Sequence, residues 1–386
     1  MTGSRHQGWL LLSLSVTSAL LAAAVGASYA YADLSLNRLG ASATAIGLNA
    51  AMPALGWLLA TPLMPWALKR LNSKGLLLGL LVTAMVAALA FPLSDHPSLW
   101  MILRFLFGGS AGAVFRLIEY WINTSSPETQ RARYIGVYAN VFCFGAMMGA
   151  TTLSAVGPEG WPPALLMAAL VLTSAVPLAL LRKGPPAIAA VPRWDWRLTG
   201  YPALGRIAIL GGLIFGLFEA VPYTLMPVYA LRSGLTEDLA MWTASAFLLG
   251  AWLFPIPMGM AADRFGKLRV ISVNTLAAMA VPLFVPQATQ QPETLIACMV
   301  LWGGFASSIY TVALAVMADH FQGAELASAN AAFGTLYAAG SLCGPLLHGL
   351  AMDWHDPQGL MESAVLLFLI FLGSAAWLSR RGRAWP

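Results

Sequence analysis

The chain has 386 residues, of which 59% are hydrophobic and only 10% charged, with a formal net charge of +5. A soluble domain carries about 25% charged residues, so a surface that faces water throughout is excluded and much of the exterior must face lipid. The positive charge falls in turns between apolar runs, which gives no nucleic-acid signal.

A bilayer core takes about 20 apolar residues of helix. The first such run covers 9–32. Basic Arg5 before it and Ala30-Tyr31-Ala32 at its end resemble a signal peptide. The run is longer than a signal core, however, and the repeat described below needs it, so it is read as a retained span. Spans follow at 43–67 and 75–93, parted by Asn72-Ser73-Lys74-Gly75. The fourth, 98–122, carries Arg104, Arg116 and Glu119. The fifth and sixth, 134–157 and 161–181, complete an N-terminal six-helix bundle over 1–181. Residues 182–204 form a linker containing Arg193-Trp194-Asp195-Trp196-Arg197. Interleaved Trp and Arg suit the lipid headgroup layer. Six further spans, 205–231, 238–262, 268–286, 293–320, 326–351 and 358–379, make a C-terminal bundle over 205–386. The expectation is an all-α membrane protein with twelve transmembrane helices.

Orientation follows from Lys and Arg. With both termini cytoplasmic, seventeen of the 21 lie in inside loops and ends, and only Arg38 and Arg232 lie outside. Such a bias obeys the positive-inside rule, and a missed or extra helix would scramble it. It predicts a multi-pass protein of a bacterial-type inner membrane.

The halves repeat. Arg38-Leu39-Gly40 recurs as Arg232-Ser233-Gly234, and Arg70 as Arg264, both 194 residues later. Gly108-Gly109 recurs as Gly303-Gly304, and Gly145 and Gly149 as Gly340 and Gly344, at 195. Four matches in order at half the chain length mark an internal duplication. Six spans per half give both copies one orientation, related by a pseudo-twofold axis along the membrane normal.

The most specific local sequence is Gly259-Met260-Ala261-Ala262-Asp263-Arg264-Phe265-Gly266-Lys267-Leu268-Arg269, in the turn after the eighth span. It resembles the cytoplasmic loop signature of the major facilitator superfamily. Arg104-Phe105-Leu106-Phe107-Gly108-Gly109 is similar to that family's fourth-helix motif. The resemblance covers nearly the whole chain and is nearest the compact bacterial YcaD-like branch. It implies the two-bundle transporter fold, alternating access and a central cavity lined by spans 1, 4, 7 and 10.

The loop chemistry is also legible from the residues. Gly259 lets two helices approach closely. Asp263 can accept bonds from a helix N-terminus, and Gly266 supplies a tight turn. Arg264, Lys267 and Arg269 can reach lipid phosphates, Asp319 or Glu325. The set reads as a cytoplasmic latch, with a plain topogenic basic loop as the alternative. In the first half only Arg70 persists. Pro65, Lys69 and Asn72 stand where Gly259, Asp263 and Gly266 do.

Ionisable groups inside a membrane are costly, which makes them functional candidates. Arg104, Arg116 and Glu119 share one sector of the fourth span with Gly108 and Gly112. Arg116 and Glu119 also fit a static ion pair. Glu219 lies mid-span in the seventh, in one stripe with Gly212, Gly216 and Tyr223, before Pro222 and Pro227 interrupt the helix. A desolvated carboxylate balanced by an arginine can exchange protons, so Glu219 is the leading proton-linked residue and Arg104 its partner or an anion site. Tyr29, Tyr31, Trp57, Asn140, Trp242, Trp302, Tyr310 and Tyr337 are candidate cavity residues, with Asn140 and Tyr310 foremost and core packing as the alternative.

Cys143, Cys298 and Cys343 show no paired spacing, and no metal-ligand spacing or phosphate-binding glycine loop occurs. The chain is therefore read as a secondary active transporter, not an enzyme, without a cofactor and driven by a proton gradient. It would work as a monomer among membrane lipids on a small polar or anionic organic solute, with no nucleic-acid partner. Proton-antiport efflux of drugs or metabolites is the alternative. The Gly-x-x-x-Gly-Pro stretch of such exporters is missing from the fifth span, which reads Gly145-Ala146-Met147-Met148-Gly149-Ala150. It stands instead in the eleventh as Gly340 to Pro345. A non-transporting receptor or platform is the minor alternative.

Overall fold

The computed structural model describes residues 2–93, 96–125, 131–157, 159–180 and 201–382. Most of the linker, with its Trp194 and Trp196 anchors, lies outside them. Among the described residues, regular structure is entirely helical. Fourteen α-helices run in order: α1 Thr2–Arg38, α2 Ala43–Arg70, α3 Ser73–Ala90, α4 Pro97–Ser125, α5 Arg131–Val156, α6 Trp161–Leu180, α7 Ala203–Glu219, α8 Leu225–Arg232, α9 Glu237–Leu253, α10 Pro255–Phe265, α11 Lys267–Ala288, α12 Pro292–His320, α13 Gly323–Trp354 and α14 Gly359–Gly382. Among the described residues, eight helices are long and apolar enough to cross a membrane by themselves, and α9 with α10 makes a ninth, bent segment. Counting α7 with α8 and α9 with α10 as interrupted segments turns the fourteen into twelve.

Both interruptions have a chemical cause. Pro222 brings no N–H to the ladder, and its ring crowds the carbonyl four residues back. Helix α7 therefore stops at Glu219, and 220–224 form a turn in which the Tyr223 and Thr224 amides both donate to Ala220 O. The eighth span, expected to be continuous, bends by 40° where Phe254 meets Pro255. Helix α1 also differs from expectation. It continues to Arg38 instead of stopping at residue 32, which carries Asp33 into the helix.

The chain divides into two compact units, Met1–Gly40 with Met52–Val191, and Ala41–Ala51 with Pro192–Pro386. In the first, α1 packs on α4, α5 and α6, and α3 packs on α4 and α6. The Thr17 hydroxyl ties α1 to α6 through Ser174 O at 3.0 Å. In the second, α7 packs on α12, α13 and α14, and α11 packs on α12 and α14. Phe218 of α7 stacks flat on Phe368 of α14 with ring centroids 4.3 Å apart. Outward faces are apolar, as at Val82 and Val86 of α3 and Leu366, Leu369 and Ile370 of α14. Such stripes are lipid-facing surface.

The sequence repeat is a structural one. Gly145 and Gly149 bring α5 against the backbone of Ala19 and Ala23 on α1, while Gly340 and Gly344 bring α13 against Leu213 and Leu217 on α7. Gly108 of α4 meets Pro53, and Gly303 of α12 meets Phe247. Arg38 pairs with Glu159 at 3.0 Å, and Arg232 pairs with Asp356 at 2.9 Å. The first nine residues of α2 belong to the second unit because α13 holds them. The amides of Ala43 and Thr44 each donate to the Asp353 carboxylate at 2.7 Å. Arg232 reaches Ala41 O at 3.3 Å from the same side.

Candidate functional site

In the first unit, α1 and α4 enclose a charged pair. Asp33 and Arg104 are both fully buried, with Arg104 Nη2 3.8 Å from Asp33 Oδ2. Arg104 Nη1 donates to Ser28 O at 2.9 Å, and the guanidinium lies 4.3 Å over the Tyr29 ring. Neither Asp33 oxygen, nor Arg104 Nε or Nη2, has a hydrogen-bond partner among the described residues. Buried polar groups are normally satisfied. The Asp33 carboxyl is therefore held by its ion pair with Arg104 and by no hydrogen bond among the described residues. Sequence reading missed Asp33 because the first span was ended one residue before it.

Further along α4, Arg116 Nη1 meets Glu119 Oε2 at 3.1 Å, with both side chains about half exposed. The Tyr138 hydroxyl donates to Glu119 Oε1 at 3.5 Å, and Arg116 lies 4.5 Å over Trp57. Asn140 is half-buried on α5. Tyr31 is core, packed edge-on to Phe91 and against Trp100, and Trp302 is core between Phe218 and Phe247. Trp242 is exposed.

In the second unit, the carboxylate of Glu219 closes α7. Its Oε2 accepts from the Tyr337 hydroxyl and, at 3.2 Å, from the Ser341 hydroxyl, both on α13. Tyr337 stacks at 15° on Phe215, one turn before Glu219, with centroids 6.0 Å apart. Tyr310 of α12 closes the group, 4.8 Å from Phe215 and 6.0 Å from Tyr337. The expected helical stripe through Tyr223 is not made, since Tyr223 falls in the turn that Pro222 imposes. Phe215, Glu219, Tyr223, Tyr310 and Tyr337 all remain partly exposed.

The loop motif joins α10 to α11. Gly266 has φ +93°, a conformation open to glycine. Lys267 pairs with Asp319 and lies 3.8 Å from Asp263. Asp263 is 75% exposed and faces that lysine; no helix N-terminus among the described residues donates to it. Gly259 makes no close helix approach among the described residues, since a Cβ there would meet nothing within 4 Å. Arg264 lies 5.3 Å over Phe265, and Arg70 lies 4.5 Å over Trp66. The repeat-related arginines thus both cover an aromatic ring. Arg269 is exposed at the start of α11.

The sequence model of the Major Facilitator Superfamily matches residues 10–236 and again 208–384. The chain belongs to that superfamily. Two overlapping matches that together cover most of the chain agree with the duplicated glycine and arginine positions. An uncharacterized MFS-type transporter of Bacillus subtilis, YfkF, is 25% identical over 345 residues, 88% of this chain and 86% of that one. The uncharacterized MFS-type transporter YcaD of Salmonella arizonae is 25% identical over 280 residues, 71% and 70% of the two chains. Among solved structures, the D-xylose–proton symporter superposes with a TM-score of 0.77 at 15% identity, covering 96% of each chain. The nucleoside transporter NupG gives 0.74 at 15%, over 97% of this chain and 98% of that one. These structures share the fold. The protein is a multi-pass membrane protein of a transporter superfamily.

Proposed function

We propose that the protein is a proton-coupled secondary active transporter that moves a small organic solute across the inner membrane by alternating access. Both termini lie in the cytoplasm in this reading. The observation that carries it is the fully buried Asp33–Arg104 pair. Charges inside a membrane protein are retained at high cost where they do work. A carboxyl facing a guanidinium, with no hydrogen bond to fix its charge state, suits uptake and release of a proton. The role first given to Glu219 therefore passes to Asp33. Glu219 is hydroxyl-bound and partly exposed, which suits contact with the solute better. Arg104 loses the anion-binding role for the same reason, since its guanidinium is sealed against Asp33, Ser28 and Tyr29.

The test uses proteoliposomes with a trapped pH-sensitive dye and a panel of metabolites. Wild-type protein is expected to move protons when its solute is added. Asp33→Asn is expected to exchange solute across the membrane but to move no protons. If Glu219→Gln has that phenotype and Asp33→Asn does not, the proton site is Glu219. Proton-independent accumulation by the wild type overturns the coupling altogether.

A further inference from the structure

We infer that the face formed by Glu219, Phe215, Tyr310 and Tyr337 receives a positively charged organic group of the solute. This rests on the transporter reading above and names its substrate class. Three features converge on one charge sign.

The first is the placement of Glu219. It is the last residue of α7, and the C-terminal end of a helix carries partial negative charge. A carboxylate there adds to a potential that already repels anions and attracts cations. Helices ordinarily place basic side chains at this end, so Glu219 stands against local preference. Such breaches are expected at functional sites.

The second is the ring arrangement. Phe215, Tyr310 and Tyr337 lie within 4.8–6.0 Å of one another, and Tyr337 joins this ring cluster to the Glu219 carboxylate through its hydroxyl. Aromatic faces carry negative electrostatic potential and bind ammonium groups, most strongly where water is scarce. A proton carrier has no use for such walls, whereas an organic cation uses both the rings and the charge.

The third is exposure. The adjacent Phe218 is buried in the core against Phe368. Phe215, Glu219, Tyr310 and Tyr337 instead keep part of their surface open. The hydroxyls of Tyr337 and Ser341 both point at Oε2. They hold the carboxylate in place from α13.

The test is equilibrium binding to purified full-length protein, with tetramethylammonium, benzyltrimethylammonium and tetraphenylphosphonium as probes. Phenylacetate and tetraphenylborate serve as matched anions. A cation is expected to bind on the order of tenfold more tightly than its matched anion, and Glu219→Gln to remove most of that preference. Phe215→Leu and Tyr310→Leu, checked as monodisperse by gel filtration, are expected to weaken cation binding while leaving anions unaffected. Equal binding of both signs, no binding of any cation, or a preference untouched by Glu219→Gln and Phe215→Leu would each overturn the inference. Cation-blind protein that still couples another solute to protons would sink this inference alone. Cation binding by protein that carries no solute would sink the transport reading and leave the site standing.

Discussion

Asp33 of α1 and Arg104 of α4 lie 3.8 Å apart, and neither exposes any of its side chain. Breaking such a pair by removing one member costs about 3–5 kcal/mol, because the remaining charge is stranded. Replacing both members by neutral groups avoids that cost. Arg104→Met is therefore expected to lower the thermal midpoint in detergent sharply. The double variant Asp33→Asn, Arg104→Met is expected to recover most of the loss. A double variant as unstable as the single one would show that packing over Tyr29, not charge, holds the site together.

The glycines of the repeat predict a second pattern. A methyl group at 149 would run into the backbone carbonyl of Ala23, and one at 344 into that of Leu217. Backbone cannot yield as a side chain can, and overpacking costs roughly 1–3 kcal/mol or more. Gly149→Ala and Gly344→Ala should both depress the melting temperature. Gly259→Ala should not, since a Cβ there meets nothing within 4 Å. Equal melting of all three would contradict the packing described for α5 on α1 and α13 on α7.

These glycines show what could be read in advance. Apolar length, basic turns and a fixed repeat offset are local properties of a sequence, and they specified the class and the duplication. Pro222 likewise announced the break in α7. Asp33 was missed because helix α1 runs six residues beyond the apolar run, and its pairing with Arg104 is a tertiary contact that no local pattern announces. The bond from Tyr337 to Glu219 joins residues 118 apart. No local pattern encodes that distance.

The loop motif separates backbone from charge. Gly266 holds φ +93°, and a side chain there costs about 1–3 kcal/mol. The pair of Lys267 with Asp319 is partly exposed, with Asp319 54% accessible, and exposed pairs contribute about 0–1 kcal/mol. Gly266→Ala is thus expected to destabilise the protein more than Lys267→Ala in the same thermal assay. The reverse order would mean that the charge cluster, and not the turn, supports the junction of α10 and α11.

Asp353 gives a prediction with a pH signature. It lies at the end of α13, beyond the apolar stretch 326–351, and caps α2 by accepting from Ala43 and Thr44 amides. Burial by itself would raise its pKa, but the hydrogen bonds from Thr44, Ala43 and Ser42 outweigh it and hold the group below the ordinary 3.8. A depressed folded-state pKa means that the stabilisation is fully present above the unfolded value and is lost as pH falls through the folded one. Replacing a capping carboxylate by alanine costs about 0.5–2 kcal/mol. Asp353→Ala should therefore melt below wild type at pH 7, and the two should converge as pH drops below about 4, near the ordinary Asp pKa. Asp353→Asn, which can still accept a bond but carries no charge, should fall between them at pH 7 and show little pH dependence of its own. A gap between wild type and Asp353→Ala that persists undiminished well below that range would show that the carboxylate's charge does not hold the start of α2.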